Sequence, residues 1–399
     1  MIAGASPVPA ARIAGVPAAA VASPASTAEV ADVVRGAAGD DLALVVRGGG
    51  TRQDWALPPQ RLDLILETSN LCGLVEHAAG DLVAVVRAGT PLRQVQEALR
   101  PAGQQLALDE PLPGATVGGT VAVNASGPRR MLYGTVRDLL IGVTVVRADG
   151  VVAKAGGKVV KNVAGYDLGK LVAGSYGTLG VITECAFRLH PLPAARRFVS
   201  VRVDGPDDAA RVLAAVLGAQ VVPSALEVDT DPLTVTALVE GVPEGVAQRA
   251  ADLEKLLGDG AGTAETPPPG WGTYPWRPGD IGIKLTSALS RVPYLLTAVG
   301  VTAQLHDVRL HVRGSAGTGV LYAGLPGDTD PGSVVGVVSD LRAATRAGAG
   351  HCVVLTSPPA VRSRVDVWGH VDGLDLMRRV KEQFDPLGIL APGRFVGGI

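Results

Sequence analysis

Aromatic side chains are scarce in this 399-residue chain, making up 4% of it although 47% is hydrophobic. Its cores must therefore be packed from Val, Leu and Ala, and the length exceeds what one core accommodates, so two domains are expected. Basic excess is missing too. A net charge of -2 without a basic stripe excludes a nucleic acid or an anionic membrane held by bulk electrostatics. Cysteine is limited to Cys72, Cys185 and Cys352. That odd, scattered set fits neither a disulfide framework nor clustered metal ligands, and reads as three buried small hydrophobes in a reducing compartment. No apolar run is long and uninterrupted enough to span a bilayer. Residues 1–25 form a low-complexity stretch rich in Ala and Pro. It lacks a basic start and is broken by Pro7, Pro9, Pro17 and Pro24, so no signal peptide is expected.

Glycine, by contrast, is plentiful, and three glycine-rich segments follow one another. The first is Arg47-Gly48-Gly49-Gly50-Thr51, directly after a buried strand over Leu42 to Val46. Successive glycines there expose consecutive N–H groups, as in an anion-binding nest for phosphate; a purely structural loop would look the same. The segment is neither a GxxxxGK[ST] loop nor a G-x-G-x-x-G turn, so any dinucleotide is held in another way. The second runs from Pro113 through Thr116, Gly118 and Gly119 to Asn124, Ser126 and Gly127. Its small residues allow a ligand close to the backbone. The third, KVVKNVAGYDLGKLVAGSYGTLGVIT over Lys158 to Thr183, sets Gly174, Gly177 and Gly180 before the β-branched run Val181-Ile182-Thr183. Either a tight turn there presents main chain to a flat ligand, or a hairpin uses the glycines for geometry alone. Tyr166, Asp167 and Lys170 in the same stretch would contact that ligand or cap a supporting helix.

Elsewhere the pattern is regular. Ser26 and Glu29 form a capping box before a helix over Thr27 to Ala38. Strands are expected at Leu62 to Leu66 and Leu82 to Arg87, with Thr90-Pro91 as N-cap and first turn of a helix through Leu99. A further strand, Ile141 to Arg147, should turn at Asp149-Gly150 into Val151 to Lys154. Beyond Pro193 the texture becomes strand, helix, strand, strand, helix, first from Phe198 to Leu257 and again from Ile281 to Ala347. A linker covers Gly258 to Gly272, a strand His306 to Arg313, and a last strand His351 to Thr356. These two units read as paired split-βαβ modules. A helix over Leu374 to Phe384 then stops at Asp385-Pro386.

The order RGGGT, PGATVGGTVAVNASG, YGTVRD, KVVKNVAGYDLGKL, GSYGTLGVIT and FDPLGILAPGR resembles the FAD-binding flavoproteins of the vanillyl-alcohol-oxidase and p-cresol-methylhydroxylase (PCMH) type. VKNVAGYDLGKL in particular is similar to the FAD-binding subunit of bacterial glycolate oxidase. The resemblance implies an α+β fold: a PCMH-type FAD-binding domain of two α/β subdomains over 26–195, a cap with ferredoxin-like split-βαβ units over 196–365, and a segment, 366–399, returning to the FAD domain. It assigns cofactor contacts to Arg47, Gly48, Gly49, Gly50 and Thr51, to Pro113, Thr116, Gly118, Gly119, Asn124, Ser126 and Gly127, and to Tyr166, Gly180, Val181, Ile182 and Arg394. Some relatives bind flavin covalently through a His in the first loop. None stands there here, so dissociable FAD is expected.

The same resemblance places a metal-binding G-H-A-G-D-G-N-x-H segment in the cap of many 2-hydroxy-acid oxidising relatives. Here it reads Gly314-Ser315-Ala316-Gly317-Thr318-Gly319-Val320-Leu321-Tyr322, with Ser315 and Tyr322 in place of both imidazoles and Thr318 in place of Asp. Neutral hydroxyls are poor ligands for such a metal, so none is expected. His306 and His311, spaced for opposite faces of one strand, would not compensate. Arg277, Lys284, Arg309 and Arg313 remain as carboxylate grips or as solvated surface charge. The implied role is the FAD-binding subunit of a glycolate oxidase complex, working with a catalytic flavoprotein subunit and an iron–sulfur subunit. Its expected place is the cytoplasm or, through the complex, the inner face of the membrane. Alternatives are a self-sufficient, metal-independent oxidoreductase for another hydroxyl substrate, with a cap Tyr or His as base, and a partner-binding subunit that has lost FAD.

Overall fold

The computed structural model describes residues 5–7, 11–157 and 167–399. The chain divides into two compact units. One comprises 1–126, 134–192 and 371–399; the other comprises 127–133 and 193–370.

The first unit begins with β1 (Ala5–Pro7) and β2 (Ala20–Ala22), followed by α1 (Thr27–Gly39), β3 (Leu44–Arg47) and β4 (Leu64–Glu67). The sheet order is β1-β2-β4-β3, with β2, β4 and β3 parallel. Parallel strands covered on both faces need continuous apolar runs. Leu44-Val45 and Leu64-Ile65-Leu66 supply them: Leu44, Leu64 and Leu66 pack with Val30 and Val34 of α1, and Val45 and Ile65 with Ile13 and Leu62 on the other face. Ser26 caps α1 as expected, its Oγ accepting the Glu29 N–H at 3.2 Å. Part of the supposed low-complexity N-terminus is therefore structural: β2 pairs residue for residue with β4, and Ala22 is buried.

A second, antiparallel sheet contains β5 (Leu74–Ala78), β6 (Val83–Arg87), β7 (Leu140–Val146), β8 (Val152–Gly156) and β9 (Val181–Arg188), in the order β8-β7-β9-β6-β5. The β7–β8 hairpin turns at Gly150, whose φ is +75°. Two short helices matter for the site, α2 (Leu92–Leu99) and α3 (Val117–Ala122). Thr90 is not the N-cap of α2. That position belongs to Pro91, while the Thr90 hydroxyl accepts the Gly73 N–H at 2.9 Å and donates to the Arg87 carbonyl at 2.7 Å. In the same turn Cys72 is exposed, against expectation, because neighbouring Leu71 takes the core position; Cys185 and Cys352 are buried.

The second unit is built on one eight-stranded antiparallel sheet. Its elements are β10 (Ala195–Arg202), α4 (Pro206–Gly218), β11 (Ala225–Thr230), β12 (Leu233–Gly241), α5 (Pro243–Leu257) and β13 (Gly262–Ala264), then β14 (Ile281–Thr286), α6 (Val292–Leu305), β15 (His311–Ser315), β16 (Val320–Leu325), α7 (Pro331–Ala347) and β17 (Cys352–Thr356). The order β13-β10-β12-β11-β15-β16-β14-β17 contains the same 4-1-3-2 arrangement twice, joined where β11 meets β15. Two split-βαβ modules share one sheet. The expected linker hides β13, the fourth strand of the first module. The expected strand over His306 to Arg313 is cut short: α6 continues to Leu305, His306 caps it, and only His311 onward is extended. His306 and His311 thus never share a strand.

Candidate functional site

In the first unit the glycine segments meet. A Cβ on Gly48 would lie 2.2 Å from Thr116 Oγ1, and one on Gly49 would lie 2.0 Å from the Gly114 carbonyl oxygen. Those two glycines let the first segment lie directly on the second. Gly50 serves differently, since it faces open space with φ +71°, a conformation strained for any residue with a Cβ.

The second segment is turned by α3. Thr116 caps it, its hydroxyl accepting the Gly119 N–H at 3.3 Å, and the Gly118 N–H donates to the Ala88 carbonyl at 2.7 Å. The far end of α3 receives the third segment: the Gly174 N–H donates to the Val121 carbonyl at 3.0 Å and the Tyr176 N–H to the Ala122 carbonyl at 2.8 Å. Gly174, Tyr176 and Gly177 all have positive φ. The backbone then straightens into β9, which pairs with β7 and β6. The third segment is thus a turn between a helix and a central strand, and not a hairpin.

The last residues of the chain hold these segments in place. Arg394 is buried, and its Nη2 donates to the Gln53 carbonyl at 2.9 Å and the Trp55 carbonyl at 3.0 Å, just past the first segment. Lys381, on the C-terminal helix Leu374–Phe384, donates to the Thr178 and Leu390 carbonyls at 2.9 Å each and to Asp385 Oδ2 at 2.5 Å. Burial pushes the Lys381 ammonium below its ordinary range, with Asp385 pulling it back. Asp385 is itself buried and accepts the N–H groups of Ile389 and Leu390. One ion pair therefore orders the final loop and ties it to the third segment.

Between these parts lies a cleft that is open at its mouth. Gly48, Gly49, Gly50, Thr51, Thr116, Gly118, Gly119, Gly180, Ile182 and Arg394 line it, as expected of cofactor contacts. Other expected residues do not. Arg47 turns aside to Glu67, with Nε to Oε1 at 2.9 Å. Pro113 is exposed, Val181 points into the core with Val30 and Leu64, and buried Ser126 accepts the Val136 N–H at 3.3 Å. Asn124 sits at φ +50° under Gly174, supporting the turn. Gly127 opens the stretch 127–133 that belongs to the second unit, and Tyr166 lies outside the described residues.

Gly177, one of the three glycines of the third segment, lines the cleft as well, whereas sequence reading missed Arg52, Gln53, Thr68, Ala88 and Tyr176, which also line it. Arg52 carried a usable signal, a charged residue directly after a glycine loop. Thr68 and Ala88 carried none, because only the strand pairing brings them there.

A cradle of this kind fits a flat dinucleotide. Among the described residues, main-chain donors and small residues line it, two arginines stand in it, and no carboxylate does. Residues 18–156 match the model of the FAD binding domain, and residues 369–395 match that of the C-terminal domain of FAD linked oxidases. In these two stretches the chain is similar to the FAD-linked oxidases. It is 40% identical to the Escherichia coli (strain K12) glycolate oxidase subunit GlcE over 177 residues, 42% of this chain and 49% of that protein. Identity to the Bacillus subtilis (strain 168) glycolate oxidase subunit GlcD is 26% over 421 residues, 94% of this chain and 88% of that one. The D-lactate dehydrogenase of Archaeoglobus fulgidus is 34% identical over 52% of this chain and 46% of its own. The matches to GlcE and to the D-lactate dehydrogenase thus span about half the length of those relatives. Among solved structures, substrate-bound p-cresol methylhydroxylase shares the fold, with TM-score 0.74 at 16% identity over 95% of this chain and 88% of that one. The cleft lies in the first unit, as does most of the stretch matched to the FAD binding domain.

The second unit presents a row of polar side chains. Strand register sets Asp229, Arg313, Tyr322 and Lys284 side by side across β11, β15, β16 and β14, with Glu227 and Ser315 as the neighbouring pair. Alternate residues Leu226, Val228, Val312, Leu321, Ile283 and Leu285 are fully buried on the other face. Arg313 Nε lies 2.6 Å from Asp229 Oδ2, and its Nη1 donates to Thr273 Oγ1 at 3.0 Å. His311 Nε2 meets the other Asp229 oxygen at 2.7 Å. Burial alone would raise the Asp229 carboxyl, but His311, the Asp231 N–H and Arg313 together hold it below the usual carboxylate range. Tyr322 packs edge-on to Tyr274, which stacks on Trp276 at 4.6 Å, so scarce rings gather here. Arg277 and Arg309 are exposed and stand outside the row. Among the described residues no group of three or more His, Cys, Asp or Glu is placed to share a metal.

Proposed function

We propose that this chain is the FAD-bearing subunit of a complex that oxidises glycolate or a related 2-hydroxy acid to the 2-oxo acid, with FAD bound dissociably. The observation that carries this reading is the hairpin face at Ser315 and Tyr322. Its glycine frame follows the metal-binding segment of hydroxy-acid oxidising relatives, yet two hydroxyls stand where imidazoles are expected. The flavin cradle is kept while the means of holding a metal is lost. The names of the relatives GlcE, GlcD and D-lactate dehydrogenase support the substrate class.

FAD, when bound, supplies the hydride-accepting chemistry. This chain contributes the glycine cradle, the cations that brace it and an enclosing scaffold. A second flavoprotein subunit oxidises the acid, and an iron–sulfur subunit carries electrons onward. No helix among the described residues is long and apolar enough to cross a membrane, and we place the complex in the cytoplasm or against the inner face of the membrane.

Anaerobic addition of glycolate or D-lactate to the isolated chain, followed by flavin absorbance, tests this. The expected result is an unbleached flavin that acid precipitation releases into the supernatant, with bleaching restored by the partner subunits. Dye reduction by the isolated chain at the rate of the whole complex overturns it.

A second reading is favoured by one feature, the registry of Tyr322 between Lys284 and Arg313. There the chain acts alone on another hydroxyl substrate, with Tyr322 as the base and the cations gripping the substrate. Bleaching of the isolated chain by an alcohol, abolished in Tyr322→Phe, would select it.

A further inference from the structure

We propose that Arg52 supplies the positive charge that holds the diphosphate of FAD in this cleft. Arg52 is only 9% exposed, and neither its Nε nor its Nη2 has a hydrogen-bond partner. A buried guanidinium left unpaired is costly, and proteins place one where a charge is to be met. It stands immediately after Gly48-Gly49-Gly50-Thr51 and lines the cleft with them and with Thr116, its Cζ 5.3 Å from the centre of the Trp55 ring. Packing against that ring fixes the side chain without using its donors.

Charge accounting in the cleft leads to the same residue. Among the described residues no acidic side chain lines it, and the other lining cation there, Arg394, is engaged by the Gln53 and Trp55 carbonyls. Main-chain N–H groups of the glycine loop offer direction and partial charge, yet a diphosphate brings a full negative charge on each phosphate. Arg52 is the residue that can answer it with two donors in a fixed fork. The inference rests on FAD as cofactor and is independent of which hydroxy acid is oxidised.

The test uses apoprotein made by removing flavin from the full chain. FAD affinity is read from quenching of flavin fluorescence, and ADP, which carries the diphosphate without the isoalloxazine, is titrated as a competitor. Arg52→Gln should weaken FAD and ADP in parallel, by tenfold or more each, with the thermal midpoint of the apoprotein held or raised. Arg52→Lys keeps the charge without the fork and should give a smaller parallel loss, between twofold and tenfold. It also decides the matter if Arg52→Gln does not fold. FAD affinity within twofold of wild type in the variant measured overturns the proposal. So does a loss for FAD with none for ADP, which would move Arg52 to the isoalloxazine.

Discussion

In the first unit the cleft is walled by main chain: Gly48, Gly49, Gly118 and Gly180 line it, while half-buried Lys381 and buried Arg394 hold carbonyls around it. In the second, the corresponding surface is a row of side chains, Asp229, Arg313, Tyr322 and Lys284, in which Arg313 is already spent on a carboxylate. The contrast concerns how much each surface can change. A main-chain wall fails when a single Cβ intrudes. A side-chain row can exchange imidazole for hydroxyl at Ser315 and Tyr322 and leave the sheet beneath untouched, since Leu321 and Val312 still fill the other face. A chain of this design can keep its cofactor site while its substrate chemistry changes.

The largest effect should come from behind the cleft. Lys381→Met removes the partner of Asp385, whose side chain is fully buried. Leaving that carboxylate uncompensated should cost about 3–5 kcal/mol, measured by urea unfolding of the apoprotein. Lys381→Met with Asp385→Asn should recover a large part of it. If Lys381→Met unfolds like wild type, the first unit does not depend on its C-terminal brace and the contrast with the second unit weakens.

Within the cleft wall, Gly49→Ala puts a Cβ 2.0 Å from the Gly114 carbonyl oxygen, where only backbone can give way. Overpacking of this kind costs about 3 kcal/mol at its upper end, which corresponds to roughly 100-fold in FAD affinity. The protein should purify without yellow colour. Gly50→Ala meets no atom and suffers only a left-handed backbone, about 1–2 kcal/mol, and should stay partly yellow. Equal behaviour of the two would show that the loop is shaped by φ alone.

These two glycines also mark the limit of what was legible in the chain. The run Gly48-Gly49-Gly50 reads as a nest, but that two of the three exist to admit Thr116 and Gly114 requires knowing which loops meet. Paired split-βαβ modules were readable because each helix and strand announces its own period, as from Ile281 to Thr286 and from Pro331 to Ala347. Register was not. No local pattern says that Lys284, Tyr322 and Arg313 form one row, or that Arg47 prefers Glu67 to a ligand. Arg52 was passed over because a lone charge in a loop normally means solvent, and its burial depends on Trp55 and on strands far away in sequence.

In the second unit, Asp229→Asn should cost about 1–3 kcal/mol at neutral pH, the range for removing a charged hydrogen-bond partner. The folded carboxyl is held below its ordinary value, so its contribution is fully present above about pH 3.9 and is lost as pH falls through the folded value. Denaturation at pH 7 should separate wild type from Asp229→Asn, and the gap should close as the pH is taken down through the lowered range of the folded carboxyl. A gap that persists in acid would mean that shape, not charge, ties Arg313 and His311 to this position.

The smallest effect is expected at Arg277, and it sharpens the comparison from the other side. Arg277 was a candidate carboxylate grip, but it is exposed and outside the polar row, and it is its backbone that Asp280 engages, the N–H donating to Oδ2 at 2.9 Å and the carbonyl accepting the Asp280 N–H at 3.0 Å. Surface substitutions of that kind stay within about 0.5 kcal/mol, so Arg277→Ala should leave stability, FAD affinity and turnover of the assembled complex unchanged. Lys284→Ala, by contrast, should raise the KM of the isolated chain severalfold under the second reading, in which the row meets the substrate. The two variants share a lost cation in the same unit and differ in register. A KM that moves for Arg277 and not for Lys284 would place the substrate away from the row and remove the second unit's side-chain face from the reaction.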